Sequence, residues 1–232
     1  MIAQKNKREP IETLLAGIPL FAQLDHKALS RLAKSAVEIA APRGTMIFSR
    51  GDTCTGLHAI TFGRVKLALP APDHPEKVIA LLGASHTLGE SAMFLHEPHM
   101  LSAETLCDAK LVHIPRAAVL ACMARDPAFA CQMVKSLSRR QRELIAEIES
   151  STQHSGTERV VRFILGEVAP DTGNGAAAIT LPAKKRVIAS RLDLTHEHFS
   201  RILHDLTAAR MIVVEGARIK IPDVRNLRAF QD

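Results

Sequence analysis

The chain has 232 residues, of which 47% are hydrophobic and 23% charged, a composition that can bury an ordinary globular core. Its formal net charge of +6 favours a polyanionic partner, and no apolar run approaches the ~18–20 residues that a membrane-spanning helix needs. Because the first residues, MIAQKNKREP, lack an apolar segment after their charges, we predict no signal peptide and no membrane partner, and expect a cytoplasmic protein.

The N-terminal segment from Ile11 to Ala40 is predicted to be helical. Asp25 is the expected cap of its second half, and Leu29, Leu32 and Val37 are expected to face inward.

Between residues 41 and 114, short apolar runs alternate with glycines such as Gly51, Gly63 and Gly89. The candidate strands are Met46–Phe48, Leu57–Phe62, Val65–Leu69, Val78–Leu82 and Ala109–Ile114. Many short strands with regular turns predict a β-roll of the jelly-roll type. A metal-dependent enzyme on such a roll is the alternative from another class, with His96 and His99 as weak candidate ligands. No catalytic triad and no zinc-ligand spacing accompany them, so we do not expect an enzyme.

A long helix is predicted after the roll. Residues 116–125 form a short helix, and Asp126 and Pro127 then provide the cap and first residue of the long one. Its seam, at alternating steps of four and three, is Ala130, Val134, Leu137, Gln141, Leu144 and Ile148. This a/d spacing is typical of two-stranded helix packing, although a helix lying on its own domain is the alternative.

The C-terminal part reads as a helix-turn-helix followed by a hairpin. Residues 184–190 form the first helix, Asp193 tolerates left-handed backbone in the turn, and Thr195 caps the second helix. The buried stripe of that helix is Phe199, Ile202, Leu203 and Leu206. Residues 211–214 and 218–221 are expected to pair as a β-wing. This order puts the second helix into the DNA major groove, although such elements also occur in ordinary α/β domains.

The four cysteines are Cys54, Cys107, Cys122 and Cys131. None forms a C-x-x-C pair, and cluster cysteines usually lie close together in sequence. We therefore predict no iron–sulfur cluster and inert thiols, with thiol oxidation as a minority alternative.

The residues Glu197-His198-Phe199-Ser200-Arg201 resemble the E-x-x-S-R signature of the CRP/FNR family of bacterial transcription regulators. The resemblance implies an α+β chain with a cyclic-nucleotide-binding-like β-roll (jelly roll), a long dimerisation helix and a winged helix-turn-helix. The implied boundaries are 1–125 for the sensor roll, 126–150 for the dimerisation helix, 151–157 for a hinge and 158–232 for the DNA-binding domain. Homodimerisation through the seam follows from the same resemblance.

The resemblance also implies how DNA is read. A TTGAT–N4–ATCAA-like palindrome is expected, with RNA polymerase as a further partner. The predicted base readers are His196, Glu197, Ser200 and Arg201, since Arg forks to guanine and Glu accepts from the cytosine amino group. The predicted phosphate contacts are Lys184, Lys185, Arg186, Thr195 and His198.

The effector region departs from the family's cyclic-AMP pattern. In cyclic-AMP-binding members a Gly-Glu pair is followed about a dozen residues later by an Arg-Ser pair, whose guanidinium neutralises the cyclic phosphate. Gly89 and Glu90 are present, but Leu101 stands in the place of that arginine. We therefore expect no cyclic AMP and a structural role for Glu90, bonded to a neighbouring strand or helix end. The effector-pocket candidates are Gly89, Glu90, Ser91, Met93, Phe94, Leu101 and Ser102.

The segment from Glu90 to Phe94 is similar to the E-A-x-M-F segment of the nitric-oxide-responsive DNR/NnrR branch. That likeness implies nitric oxide sensing through haem and control of nitrogen-oxide respiration genes. The alternative within the class is a regulator with no small effector, or one controlled by thiol oxidation.

Overall fold

The computed structural model describes residues 9–71, 75–169, 173 and 175–229. The chain forms two compact units. The first unit contains residues up to Pro70 together with Ala80–Arg140, and the second contains Ala71–Ile79 together with the residues from Gln141 onward. No helix in the described ranges combines the length and the apolar character that a bilayer crossing would require.

The helices of the first unit are α1 (Ile11–Ala16), α2 (His26–Ser35), α3 (Glu90–Leu95), α4 (Arg116–Arg125) and the beginning of α5 (Pro127–Gln153). The Asp25 side chain accepts a hydrogen bond from the Ala28 backbone N–H at 2.6 Å, which confirms the predicted cap of α2. Asp126 does the same for the Phe129 N–H at 3.1 Å, so the predicted start of the long helix is also confirmed.

The strands of the roll are β1 (Val37–Ala41), β2 (Met46–Phe48), β3 (Gly56–Phe62), β4 (Arg64–Leu69), β5 (Lys77–Gly83), β6 (Thr87–Leu88), β7 (Ser102–Thr105) and β8 (Ala109–Pro115). They form two four-stranded sheets, in the orders β1-β8-β3-β6 and β2-β7-β4-β5. Phe48, Ile60 and Leu111 from these sheets share one buried cluster. The predicted β-roll is therefore confirmed.

The prediction of helix through Ala40 was wrong. Ala36 is extended, with φ −82° and ψ 151°, so α2 ends at Ser35. The next residues pair antiparallel with β8, from Val37 opposite His113 to Ala41 opposite Ala109. Val37 is 58% exposed rather than inward. Pairing with a strand that is distant in sequence decided the conformation, and a local helical pattern carries no signal of it.

The second unit contains the end of α5, α6 (Gly156–Gly166), α7 (Lys185–Arg191), α8 (His196–Ala208) and α9 (Val224–Ala229). Its sheet has the order β10-β11-β9, with β9 at Ala177–Thr180, β10 at Val213–Glu215 and β11 at Arg218–Ile221. Its core joins Val161, Ile188, Phe199 and Ile219, which come from α6, α7, α8 and β11.

The predicted hinge, residues 151–157, is mostly helical. Helix α5 continues to Gln153 and α6 begins at Gly156. A capping box starts α6, because the Ser155 hydroxyl accepts from the Glu158 N–H while the Glu158 carboxylate accepts from the Ser155 N–H. Whether the chain pivots at this point stays a prediction.

Candidate nucleic-acid interface

Helices α7 and α8 are joined by the tight turn that the sequence predicted. The buried residues of α7 are Val187, Ile188 and Ala189. Asp193 has a φ of 59°, so the expected left-handed aspartate is confirmed. The Leu194 N–H donates to the Ala189 carbonyl at 2.9 Å and closes the turn.

Two cations of the second unit hold this turn. Lys77 donates from Nζ to an Asp193 carboxylate oxygen at 2.8 Å and to the Ser190 carbonyl at 3.0 Å. This hydrogen bond, followed by the attraction between the two charges, lowers the pKa of the Asp193 carboxyl below its usual range. The Arg159 guanidinium reaches the Asp193 carbonyl at 3.4 Å. Sequence reasoning missed both cations, because each lies far along the chain from the turn.

The start of α8 is capped as predicted. The Thr195 side chain accepts from the His198 N–H at 3.1 Å. Glu197 lies in the first turn, where its backbone N–H, and then the Thr195 hydroxyl, lower the pKa of its carboxyl. Phe199, Ile202 and Leu203 are buried in the core, and Leu206 completes the confirmed stripe.

The opposite face of α8 carries the predicted base readers. His196, Glu197 and Arg201 are exposed, and Ser200 is half-buried between them. Ser200 Oγ lies 3.2 Å from His196 Nδ1. Among the described residues no ion pair joins Glu197 to Arg201, so neither side chain is engaged by the other. A donor fork and an acceptor carboxylate therefore share one exposed face.

The predicted phosphate contacts have different surroundings. Lys184 and Arg186 are exposed at the start of α7, and Lys185 is half-buried. Thr195 is engaged as the cap of α8. The His198 ring lies beside Gly156, where an added Cβ would come within 3.3 Å of it. The phosphate role of these five residues stays a prediction.

The predicted wing is the β10–β11 hairpin, which turns at Gly216 with a φ of 64°. Lys220 and Glu215 form an ion pair across it at 2.6 Å, and Arg218 is exposed. The sequence predicted no DNA contact from any residue of this hairpin.

Two family models match the chain. Residues 38–126 match the cyclic nucleotide-binding domain, and residues 158–230 match the Crp-like helix-turn-helix domain. The chain belongs to the CRP/FNR family of transcription regulators. Its function is therefore that of a DNA-binding regulator and not of an enzyme.

Relatives of this CRP/FNR chain match it over almost its whole length. The CRP-like cAMP-activated global transcriptional regulator of Mycobacterium tuberculosis is 26% identical and is aligned over 94% of this chain and 98% of its own. The crystal structure of DNR from Pseudomonas aeruginosa is 27% identical, covers 94% of this chain and 96% of its own, and has a TM-score of 0.50. FixK2 from Bradyrhizobium japonicum has a TM-score of 0.74 at 18% identity, covers 85% of this chain and 98% of its own, and supports the fold alone.

The predicted effector-pocket segment begins at Gly89. This glycine has a φ of 98°, and a Cβ on it would lie 3.0 Å from the Gly56 carbonyl oxygen. Thr87, on β6, donates a hydrogen bond to the Glu90 carboxyl group at the start of α3. Burial raises the pKa of that carboxyl, and the bond from Thr87 opposes the shift. Glu90 is thus bonded to a neighbouring strand, as expected.

The other effector-pocket candidates are dispersed. Met93 is fully buried in the core, Phe94 is half-buried against the same core, and Ser91 is exposed. Ser102 Oγ accepts from the Arg50 N–H at 2.9 Å, and Leu101 is half-buried. The assignment of these residues to an effector pocket stays a prediction.

The histidine pair singled out from sequence is divided between two environments. His96 is exposed, with a φ of 60°, whereas His99 is buried and stacks on Phe48 with ring centroids 3.7 Å apart. Within the described residues, no three His, Cys, Asp or Glu side chains come together in a way that could hold a metal ion.

Two histidines that sequence reasoning did not single out face each other on neighbouring strands. His58 on β3 lies opposite His113 on β8, with ring centroids 4.7 Å apart. Burial, and then the charges of His113 and His99, lower the pKa of His58 to about 3. Its Nδ1 has no hydrogen-bond partner among the described residues. The imidazole of His58 is therefore held neutral.

Helix α5 is buried at its start and leaves its seam largely exposed. Phe129 and Met133 are buried in the core of the first unit. The seam residues Val134 and Ile148 are 60% and 64% exposed, and Leu137 is also exposed. Ala130 and Leu144 are half-buried and Gln141 is exposed. The helix thus lies on its own unit at its start and still presents apolar side chains to solvent.

Proposed function

We propose that the protein is a homodimeric regulator whose α8 reads the half-sites of a TTGAT–N4–ATCAA-like palindrome. The observation that carries this proposal is the exposed face formed by Glu197, Ser200 and Arg201 on a capped helix. The Arg201 guanidinium can bond guanine through two N–H groups, and the Glu197 carboxylate can accept from the cytosine amino group. Lys184, Lys185 and Arg186 contact phosphates and set the register of the helix on the duplex.

The dimer forms through the exposed apolar seam of α5. Val134, Leu137 and Ile148 are large side chains that a monomer leaves in water. Pairing two copies of the helix removes this apolar surface from solvent. A two-fold dimer places two α8 helices about 34 Å apart, one turn of DNA, which matches a palindrome. RNA polymerase is the expected protein partner on the promoter.

The signal differs from cyclic AMP. Leu101 cannot neutralise a cyclic phosphate, and Glu90 is already bonded to Thr87. For the signal we propose haem-mediated sensing of nitric oxide, with control of nitrogen-oxide respiration genes, on the resemblance of the segment from Glu90 to Phe94 to the DNR/NnrR branch. His58, whose buried Nδ1 has no hydrogen-bond partner among the described residues, would be the residue to hold the haem iron. The exposed free thiols of Cys107 and Cys131 support thiol oxidation as the second candidate signal.

The DNA-reading proposal is tested by selecting binding sites from random duplex DNA with the wild-type protein and with Arg201→Ala. We expect a palindrome for the wild type. The Arg201→Ala variant should lose ~1–3 kcal/mol of binding free energy and relax one base position. Lys184→Ala is the matched control, because removing a bond to phosphate should weaken all sequences about equally. Selection of no palindrome, or an Arg201→Ala variant with unchanged base preference, would contradict the proposal.

The signal is tested by the anaerobic visible spectrum of the protein during titration with haemin, followed by nitric oxide. The chain has no Trp and no Tyr, so its own absorbance near 280 nm is very weak, and the protein concentration in the haem-to-protein ratio has to be measured by another method. A saturable band that shifts with nitric oxide and is lost in His58→Gln would support haem sensing. The absence of a specific band would contradict nitric oxide sensing through haem. DNA binding would then be measured while the thiols are oxidised stepwise.

A further inference from the structure

On the exposed face of α8, one hydroxyl is bonded to one imidazole. Ser200 Oγ lies 3.2 Å from His196 Nδ1. The two residues are four apart in a helix, and helical side chains lean towards the preceding turn, so Ser200 reaches towards His196. His196 is exposed in the first turn of α8.

A helical hydroxyl has another common partner, the backbone carbonyl four residues earlier. Thr207, on the same helix, makes that bond, donating to the Leu203 carbonyl at 2.8 Å. Ser200 is instead bonded to a side chain. With the hydrogen of the neutral imidazole on Nε2, Nδ1 accepts and Ser200 supplies the hydrogen; with the hydrogen on Nδ1 the roles reverse and Ser200 keeps its own hydrogen for DNA. We take the first tautomer, and the base preference of the wild type distinguishes the two.

We propose that His196 fixes Ser200 as a hydrogen-bond acceptor towards DNA, so that α8 selects a base with an exocyclic amino group in the major groove. This inference rests on the proposed function, the reading of DNA by α8. A hydroxyl has one hydrogen and two lone pairs, and when the hydrogen points to the imidazole only the lone pairs remain for the base. His196 is then a specificity-determining residue that acts through Ser200.

The consequence for base choice follows from the edges that bases present in the major groove. Adenine and cytosine offer amino donors, whereas guanine and thymine offer oxygen acceptors that face the lone pairs unfavourably. A serine without His196 can rotate its hydroxyl and serve either kind of base. With His196 present, Ser200 therefore selects bases with an amino group, whereas Ser200 alone would accept both kinds of base.

The test uses the full chain as wild type, His196→Ala, Ser200→Ala and the double variant. Each protein is titrated at about pH 8, where an ordinary imidazole is neutral, with palindromes in which every half-site base pair is replaced in turn. At one position the wild type should prefer an amino-bearing base on the contacted strand by about tenfold. His196→Ala and Ser200→Ala should each reduce that ratio to within about twofold, and the double variant should match Ser200→Ala.

His204→Ala is the matched control. His204 is exposed on the same helix, four residues beyond Ser200, and its near neighbour is Asp205. This variant should keep the wild-type preference. Because preference is a ratio between duplexes, loss of a bond from His196 to phosphate would lower all affinities together and leave the ratio unchanged. Loss of a direct contact from His196 to a base would instead add to the effect of Ser200→Ala in the double variant.

Three results would overturn the inference. The wild-type preference could persist in His196→Ala, or the effects of the two single variants could add. The wild type could instead prefer guanine or thymine at the position that Ser200→Ala relaxes. If the wild type prefers no half-site base at any position, the proposed function fails as well, whereas the first three results leave DNA reading by Arg201 intact.

Discussion

At the scale of the residue, Gly89 occupies a backbone conformation that side chains rarely adopt. Its φ is 98°, and an added Cβ would lie 3.0 Å from the Gly56 carbonyl oxygen. We expect Gly89→Ala to lower the free energy of unfolding by about 1–3 kcal/mol, measured by urea denaturation. The control is Gly166→Ala, where no atom lies within 4 Å of the added Cβ. That variant should be neutral or slightly stabilised, and an equal loss in both variants would contradict the argument.

His58 makes the stability of the protein depend on pH. Its pKa is about 3 in the folded chain, against 6.5 for an ordinary histidine. Between these two values the unfolded chain binds the proton more strongly, so stability falls as the pH is lowered through this range. The contribution lost between pH 7.5 and pH 5 should be about 2 kcal/mol.

The measurement compares urea denaturation at the two pH values for the wild type, His58→Gln and His204→Gln. The His204 side chain is 82% exposed, so its replacement should leave the pH dependence unchanged. His58→Gln should remove the largest single part of that dependence, whatever its own effect on stability at pH 7.5. The remainder should come from His99 and His113, because burial also lowers the pKa of each of these imidazoles. If the three proteins lose the same stability on acidification, the neutral buried imidazole is not the cause.

At the scale of the element, the sequence predicted best where the signal is local. The cap at Thr195, the left-handed Asp193 and the buried stripe of α8 depend on residues within about one helical turn, and all were found. The strand β1 was missed because its partner β8 is distant in sequence. Strand β6 has two residues, too few to show a period.

The cap of α8 can be tested separately from its DNA contacts. Thr195→Ala removes the oxygen that accepts from the His198 N–H, and we expect it to lower the free energy of unfolding by about 1 kcal/mol. Thr195→Ser keeps that oxygen and should cost much less. Thermal or urea unfolding of both variants without DNA checks this. Equal losses would assign the effect to the methyl group of Thr195 and not to its hydrogen bond.

At the scale of the whole molecule, resemblance to a known family predicted more of the function than the hydrophobic pattern did. Alternating apolar runs predicted the β-roll, but Glu197, Ser200 and Arg201 became base readers only once their spacing was matched to a family. The pairing of His58 with His113 depends on the register of β3 against β8. A shift of one residue would turn His58 to the other face of the sheet, and no local pattern fixes that register.

The assembly of two chains is the last prediction, and it depends on the seam of α5. Leu137 lies on the seam and is exposed in the single chain, and Ala146 is exposed off the seam of the same helix. Leu137→Glu would bury a carboxylate in each half of the proposed dimer, so its dissociation constant should rise by at least about a hundredfold. Ala146→Glu adds the same charge on the side away from the seam and should dimerise like the wild type. Sedimentation of both variants over a range of concentrations measures this.

Affinity for the full palindrome should fall only in Leu137→Glu, because a single α8 reads one half-site without the second half-site that the dimer engages. Two equally dimeric variants would place the dimer interface elsewhere.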